Sequence, residues 1–136
     1  MALRRELLLF AAGGLLGLLV DAGIVQCLVS FGHWNPYLAR LVSFLSAATV
    51  TWWWNRRHTF AARDSGRGLA MEWLHWMGLM SAGAAVNYAV FVLALWLWPG
   101  LRAWPALPAA AGAVMAAAVN FLSARLLLFR RVRSLL

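Results

Sequence analysis

The chain has 136 residues, of which 64% are apolar and 12% are charged, and its formal net charge is +8 at pH 7. A soluble domain has about 45–50% apolar residues, so this composition, with a mean hydropathy of +0.75, excludes a water-soluble globule and predicts an integral membrane protein. A positive charge is also typical of nucleic-acid-binding proteins. No soluble fold is available here to present a basic face, so we expect no nucleic-acid partner.

The apolar runs predict four membrane-spanning helices. The first covers about 7–29, and at ~23 residues it can cross ~30 Å of hydrocarbon, so we interpret it as a retained span and not as a cleaved signal peptide. The next three cover about 36–54, 73–98 and 105–128. The predicted fold class is therefore all-α integral membrane, in a single domain of residues 1–136.

The arginines are distributed unevenly about these spans. Only Arg40 and Arg102 lie towards the side of the two hairpin loops. The other ten basic residues lie on the opposite side: Arg4, Arg5, Arg56, Arg57, Arg63, Arg67, Arg125, Arg130, Arg131 and Arg133. The positive-inside rule therefore predicts that both termini and the central loop are cytoplasmic.

The two halves of the chain resemble each other, over approximately 4–63 and 72–131. A shift of 66 residues aligns spans one and three, and a shift of 69 aligns spans two and four. The aligned pairs are Glu6 with Glu72, Phe10 with Trp76, Gly17 with Gly83, Asp21 with Asn87, Pro36 with Pro105, Thr51 with Asn120, Arg56 with Arg125, and Phe60 with Phe129. Because each half has two spans, we expect two helical hairpins of the same orientation, related by an axis roughly along the membrane normal.

Polar side chains within the predicted spans are candidates for function. Asp21 lies about 14 residues, or roughly 21 Å, from the cytoplasmic end, where a charge costs about 2.5–3.5 kcal/mol. Two interpretations stay open: a structural role, as an ion pair with Arg40 or as a protonated, hydrogen-bonded carboxyl group, or direct contact with a substrate. Asn55, Asn87 and Asn120 likewise either form interhelical hydrogen bonds or line a path for a polar ligand.

Three arginines at the cytoplasmic helix ends have two interpretations as well. Arg56 and Arg125 occupy equivalent positions in the two halves, and Arg57 adjoins the first. Such residues commonly fix topology and contact anionic lipids, but a guanidinium fork also binds phosphate bidentately. Glu72 and His75 are expected at the interface, in contact with solvent.

No catalytic or metal centre is expected. Cys27 is the single cysteine, so no intramolecular disulfide can form, and the three histidines are scattered along the chain. A structural zinc site needs about four Cys or His ligands. Because no nucleophile, base and metal combination is present either, we expect neither an enzyme nor a bound cofactor.

The ending of the second span carries a resemblance to a known family. It reads Asn-Arg-Arg-His-Thr-Phe over 55–60, and a weaker copy ends the fourth span, with Ala124 in place of the asparagine before Arg125. With Gly13 and Asp21 in span one and the duplicated four-span topology over about 7–131, this ending resembles the GtrA-like family of small membrane proteins.

The resemblance implies the translocation of polyprenyl-phosphate-linked monosaccharides across the bacterial cytoplasmic membrane, for the glycosylation of cell-surface polysaccharides. It also implies a glycosyltransferase partner, and four helices leave a narrow path, so we expect a homo-oligomer or such a complex. On this hypothesis the phosphate is bound by Arg56, Arg57 and Arg125. The sugar path is formed by Asp21, Arg40, Asn55, Asn87 and Asn120.

Two other functions remain open. One is a membrane anchor that holds a glycosyltransferase without transporting its substrate. The other is a small multidrug-type antiporter with Asp21 as its proton and cation site, although no span contains a central glutamate.

Overall fold

A computed structural model describes residues 2–104 and 106–132, and these are almost entirely helical. The long helices are α1 (Ala2–Ser30), α2 (Pro36–Trp54), α3 (Leu69–Leu97) and α4 (Ala106–Ser123). Helix α3 therefore begins four residues before the start predicted for span three. Pro105 and Arg133, which entered the predictions above, lie outside the described residues.

Shorter elements extend or connect these helices. Helices α2 and α4 each continue into a five-residue π-helix, Asn55–Thr59 and Ala124–Leu128, and the two are separated by 69 positions. A 3₁₀-helix, Pro99–Ala103, precedes α4. Beyond the π-helices, β1 (Arg63–Asp64) pairs antiparallel with β2 (Arg131–Val132). Single π turns within α-helices are frequent at functional sites. The ends of α2 and α4 are therefore candidate functional positions.

Helices α1 and α2 pack closely through glycines. Gly13 lies against the indole of Trp54, and Gly17 lies against the methyl group of Thr51. Gly13 precedes Gly17 in α1, whereas its partner Trp54 follows Thr51 in α2. The two helices therefore run in opposite directions. Small residues allow such close approach between membrane helices, and the indole N–H of Trp54 adds a hydrogen bond to the Leu9 carbonyl oxygen at 2.9 Å.

Helices α3 and α4 make the same kind of contact. Gly83 lies against the Asn120 amide, and Gly112 lies against Asn87. The order of these contacts again requires opposite helix directions. Gly83 occupies in α3 the place that Gly17 has in α1, 66 residues earlier. Two polar amides are therefore held in place by glycines on the facing helix.

An aromatic cluster joins all four helices at one end of the bundle. We call this the proximal end: α1 and α3 begin there, and α2 and α4 finish there. Phe10 packs edge-on against Phe121, and Phe60 stacks on Phe129 with ring centroids 5.0 Å apart. Trp76 is fully buried beside them, and its indole N–H donates to the backbone of α2. The buried core is thus concentrated at the proximal end.

The outer surface is that of a membrane protein. Within the described residues, three helical segments are long and apolar enough to cross a membrane: Ala2–Ser30, Leu69–Leu97 and Leu107–Leu128. Helix α2 has 19 residues and contains Arg40 together with two serines and two threonines, so it is shorter and more polar than these. Leu15, Leu19 and other large apolar side chains point outwards, as contact with lipid requires.

The glycine contacts predict a specific loss of stability. A Gly83→Ala methyl would overlap the Asn120 side chain, and such overpacking typically costs about 1–3 kcal/mol. Gly78→Ala, on the same helix with open space around it, is the matched control and should change the free energy of unfolding little. Thermal unfolding of both variants in detergent, followed by tryptophan fluorescence, measures the difference. Equal midpoints would show that the contact of Gly83 with Asn120 is not tightly packed.

Candidate functional site

A buried carboxylate from each half lies beside the aromatic cluster. Glu72, on α3, is 1% exposed. Its Oε1 accepts a hydrogen bond from the Trp52 indole N–H at 3.0 Å, and its Oε2 accepts one from the Ser65 hydroxyl at 2.6 Å. Arg56 Nε lies 3.1 Å from Oε1, although the N–H is not aligned for a hydrogen bond. Glu72 thereby joins α3 to the end of α2 and to the central loop.

Glu6, on α1, makes the reciprocal connection. Its Oε2 accepts from Arg125 Nε at 2.6 Å, and its Oε1 accepts from Arg63 Nε at 3.0 Å. Each glutamate therefore pairs with an arginine of the other half, since Glu6 meets Arg125 and Glu72 meets Arg56. A carboxylate that is removed from water needs such partners, because an unpaired buried charge is strongly destabilising.

These contacts correct one prediction and identify residues that sequence reasoning missed. Glu72 was expected to be solvated at the interface, and that is wrong: the arginine, tryptophan and serine described above replace its water. The role of Glu6 was not foreseen. A signal was available, because Glu6 and Glu72 are aligned by the 66-residue shift and both lie near the arginine-rich helix ends.

Arg57 differs from its two companions in the predicted phosphate site. Its side chain is exposed, and its guanidinium carbon lies 5.7 Å from the centroid of a Trp53 ring, in cation–π contact. A recess of about 460 Å³ adjoins it, with Arg56, Trp52 and Leu69 also in its wall. Arg56 and Arg125, by contrast, are engaged by glutamates. Of the three guanidiniums, that of Arg57 has the most freedom to meet an anion.

A cavity of about 350 Å³ lies between the four helices, beyond the aromatic cluster. Most of its wall is glycine, alanine and large apolar residues. Its polar lining comprises Asp21, Thr51, Asn55, Asn87 and Asn120. The structure thus brings together four of the five residues predicted for a sugar path, whereas Arg40 does not line the cavity.

The cavity's amides differ in the hydrogen bonds they make. Asn55 is buried and satisfied, since it donates to the Thr51 carbonyl oxygen at 2.8 Å and accepts from the Thr59 hydroxyl at 2.6 Å. Asn120 Oδ1 is buried and has no hydrogen-bond partner among the described residues. A buried acceptor without a partner costs about 1–3 kcal/mol, and this oxygen is packed against Gly83 of the facing helix.

Asp21 and Arg40 form an ion pair near the other end of the cavity, which we call the distal end. Arg40 Nη1 donates to Asp21 Oδ2 at 2.7 Å. The second carboxylate oxygen, Oδ1, is buried and has no hydrogen-bond partner within the described part of the chain. Of the two interpretations of these residues, the structure shows the ion pair, and Asp21 is at the same time part of the cavity lining.

This arrangement offers groups that can bind a polar ligand and an anion. The cavity offers amide and carboxylate oxygens to a hydroxylated ligand, and the proximal recess offers a guanidinium to an anion. Across residues 2–104 and 106–132, no three His, Cys, Asp or Glu side chains are grouped so that they could hold a metal ion.

Comparison with protein families identifies a match. The family model described as the GtrA/DPMS transmembrane domain matches residues 9–130. This match confirms the resemblance drawn from the ending at 55–60. A search among curated proteins found no match.

The crossed ion pairs predict measurable coupling between the halves. In a double-mutant cycle, Glu72→Gln and Arg56→Gln should show an interaction energy of about 0.5–3 kcal/mol, as residues in one network do. The mismatched cycle of Glu72 with Arg125 should show less than about 0.5 kcal/mol. Unfolding in detergent micelles, followed by tryptophan fluorescence, supplies the four free energies for each cycle.

Asp64→Asn is the control for simple loss of a negative charge near these arginines, because Asp64 is half-buried on β1 and outside the ion pairs. It should lower stability less than Glu72→Gln. Equal coupling in the matched and mismatched cycles would contradict the reciprocal pairing of the two halves.

Proposed function

Because the chain belongs to the GtrA/DPMS transmembrane-domain family, we propose that it moves a polyprenyl-phosphate-linked monosaccharide across the bacterial cytoplasmic membrane. Membership of the family fits a role in handling lipid-linked sugars. During such a transfer the polyprenyl tail stays in hydrocarbon, so the protein needs to shelter only the sugar hydroxyls and one phosphodiester charge. The product would serve the glycosylation of cell-surface polysaccharides.

The cavity is the observation that carries this proposal. Its volume of about 350 Å³ lies within the about 300–1,000 Å³ that is typical of small-molecule sites. Asn120 Oδ1 and Asp21 Oδ1 supply buried acceptors without partners among the described residues, which matches a ligand rich in hydroxyl donors. An apolar cargo would leave both oxygens unsatisfied. The cavity therefore favours a sugar over a lipophilic drug, and this weighs against the multidrug-type antiporter.

We assign phosphate capture first to Arg57. It is exposed at the proximal end beside a recess, and its guanidinium carbon lies over a Trp53 ring. Arg56 lies in the wall of the same recess and is the second contact. Arg125 holds Glu6, so in our proposal it binds phosphate only in a conformation in which that ion pair has opened.

The proposed topology has four spans in two hairpins of the same orientation, with both termini in the cytoplasm and α2 as the fourth membrane crossing. The proximal end then faces the cytoplasm, where lipid-linked sugars are made on the inner leaflet. Four helices give a narrow path, so we further propose that a second copy or a partner glycosyltransferase completes its outer wall.

Filling the cavity should stop transport. Ala117 lines the cavity and Ala118, the next residue of α4, does not, so Ala117→Leu and Ala118→Leu add the same volume on two sides of one helix. In liposomes containing a short-chain polyprenyl-phosphate sugar, a membrane-impermeant sugar-oxidising reagent reports transbilayer exchange. We expect protein-dependent exchange to be lost in Ala117→Leu and retained in Ala118→Leu.

Equal exchange with and without the protein, for several sugars, would contradict transport and turn attention to the anchor hypothesis. Exchange that both leucine variants reduce equally would instead show that the cavity is not the path.

Removing the exposed guanidinium should weaken capture of the lipid phosphate. A hydrogen bond to a charged group contributes about 1.5–3 kcal/mol, so Arg57→Gln should weaken binding of a short-chain polyprenyl phosphate by about tenfold or more. Arg67→Gln, another exposed cytoplasmic arginine outside the recess, controls for loss of charge. Titration in detergent by tryptophan fluorescence measures both affinities, and equal weakening would mean that only the net charge of the surface matters.

A further inference from the structure

The ion pair at the distal end lies on the boundary between the cavity and the outer surface. Asp21 lines the cavity, and its side chain is 22% exposed. Arg40 is 58% exposed and is not part of the cavity wall. A ligand leaving the cavity at this end would therefore meet the carboxylate first and the guanidinium next.

The guanidinium of Arg40 is only partly used. Its bond from Nη1 to Asp21 Oδ2 is its one side-chain hydrogen bond to the described residues. An arginine has five N–H donors in a planar fork that matches two phosphate oxygens. Because more than half of the Arg40 side chain is exposed and it is not part of the cavity wall, a phosphate can approach it from the outer surface.

Arg40 also lies at a suitable depth for a phosphate. It is the fifth residue of α2, which places it about 6 Å along the helix axis from its first residue at 1.5 Å per residue. Arg40 is therefore close to the distal end of α2 and away from its middle, and an anion is costly at the bilayer centre.

We propose that Arg40 is a phosphate-binding site at the distal end and that Asp21 occupies it when no phosphate is bound. The phosphate displaces one carboxylate oxygen from the guanidinium, and both oxygens of Asp21 then become available to hydroxyl groups in the cavity. The identity of the ligand as a polyprenyl phosphate rests on the proposed function. The same chemistry also fits the head group of an anionic phospholipid, so the experiment separates the two sources.

The test uses the full-length protein in phosphatidylcholine nanodiscs, titrated with farnesyl phosphate and followed by tryptophan fluorescence. All variants carry Arg57→Gln, so that the proximal recess does not obscure the distal site. Asp21→Asn frees the guanidinium, so we expect farnesyl phosphate to bind at least about fivefold more tightly, at the lower limit of typical coupling between sites. Arg40→Gln should weaken binding, and the double variant should show no gain over Arg40→Gln.

Farnesol, which lacks the phosphate, should show no gain in Asp21→Asn. Nanodiscs in which a fifth of the lipid is phosphatidylglycerol, and a titration with inorganic phosphate, identify the source. Phosphatidylglycerol could compete with farnesyl phosphate, and Arg40→Gln could abolish that competition. If both occur while Asp21→Asn does not tighten the binding of farnesyl phosphate, the site belongs to phospholipid head groups.

Unchanged or weaker binding of farnesyl phosphate by a folded Asp21→Asn variant, together with no effect of phosphatidylglycerol, would overturn the proposal and leave a purely structural ion pair. If Asp21→Asn does not fold, Arg40→Lys decides the question, because it keeps the ion pair but loses the fork. It should retain thermal stability and bind farnesyl phosphate more weakly, and unchanged binding would overturn the proposal. Transport is not the readout, so failure of the transport assay leaves this result independent.

Discussion

Burial of two carboxylates at the proximal end constrains the whole arrangement of helices. Glu6 and Glu72 are held away from water beside the aromatic cluster, and each takes its arginine from the opposite half, Arg125 and Arg56 respectively. Glu6 is paired with Arg63 of its own half as well, whereas the arginine that pairs with Glu72 among the described residues comes from the first half. Because an unpaired buried charge costs several kcal/mol, the halves must meet at this end. The stacked pair Phe60 and Phe129 then fills the space between them.

The cavity follows from that constraint together with the glycine contacts. Large aromatic side chains fill the proximal end, whereas small residues such as Gly17 and Ala116 line the space farther along the helices. Close approach within each half, at Gly17 against Thr51 and at Gly83 against Asn120, leaves the volume between the halves instead of within them. The polar side chains on those glycine-packed faces consequently border one shared space.

Much of this could be predicted from the sequence, for identifiable physical reasons. Composition and the lengths of apolar runs indicate an all-α membrane protein, and steps of three or four residues indicate which face of a helix is small or polar. These patterns do not reveal which side chain lies within about 3 Å of a given polar group, at hydrogen-bond distance. For that reason Glu72 was wrongly expected to be solvated, and the ion pair of Glu6 with Arg125 was missed. The pairing of Asp21 with Arg40 stayed one of two interpretations. The π-helices also escaped prediction, since Ala124 and Asn55 share no side-chain chemistry that would indicate them.

The two halves differ at several positions where the first half has a charged side chain. Asp21 has Asn87 as its counterpart in the second half, and Arg40 has Ala109, so the distal ion pair occurs only in the first half. Arg57 corresponds to Leu126, so the guanidinium beside the proximal recess likewise has no counterpart at the aligned position of the second half. A lipid-linked sugar has a single phosphodiester, so it needs one arginine at each end of the cavity and not two. In our proposal these two arginines are Arg57 at the proximal end and Arg40 at the distal end, and both belong to the first half of the duplicated framework.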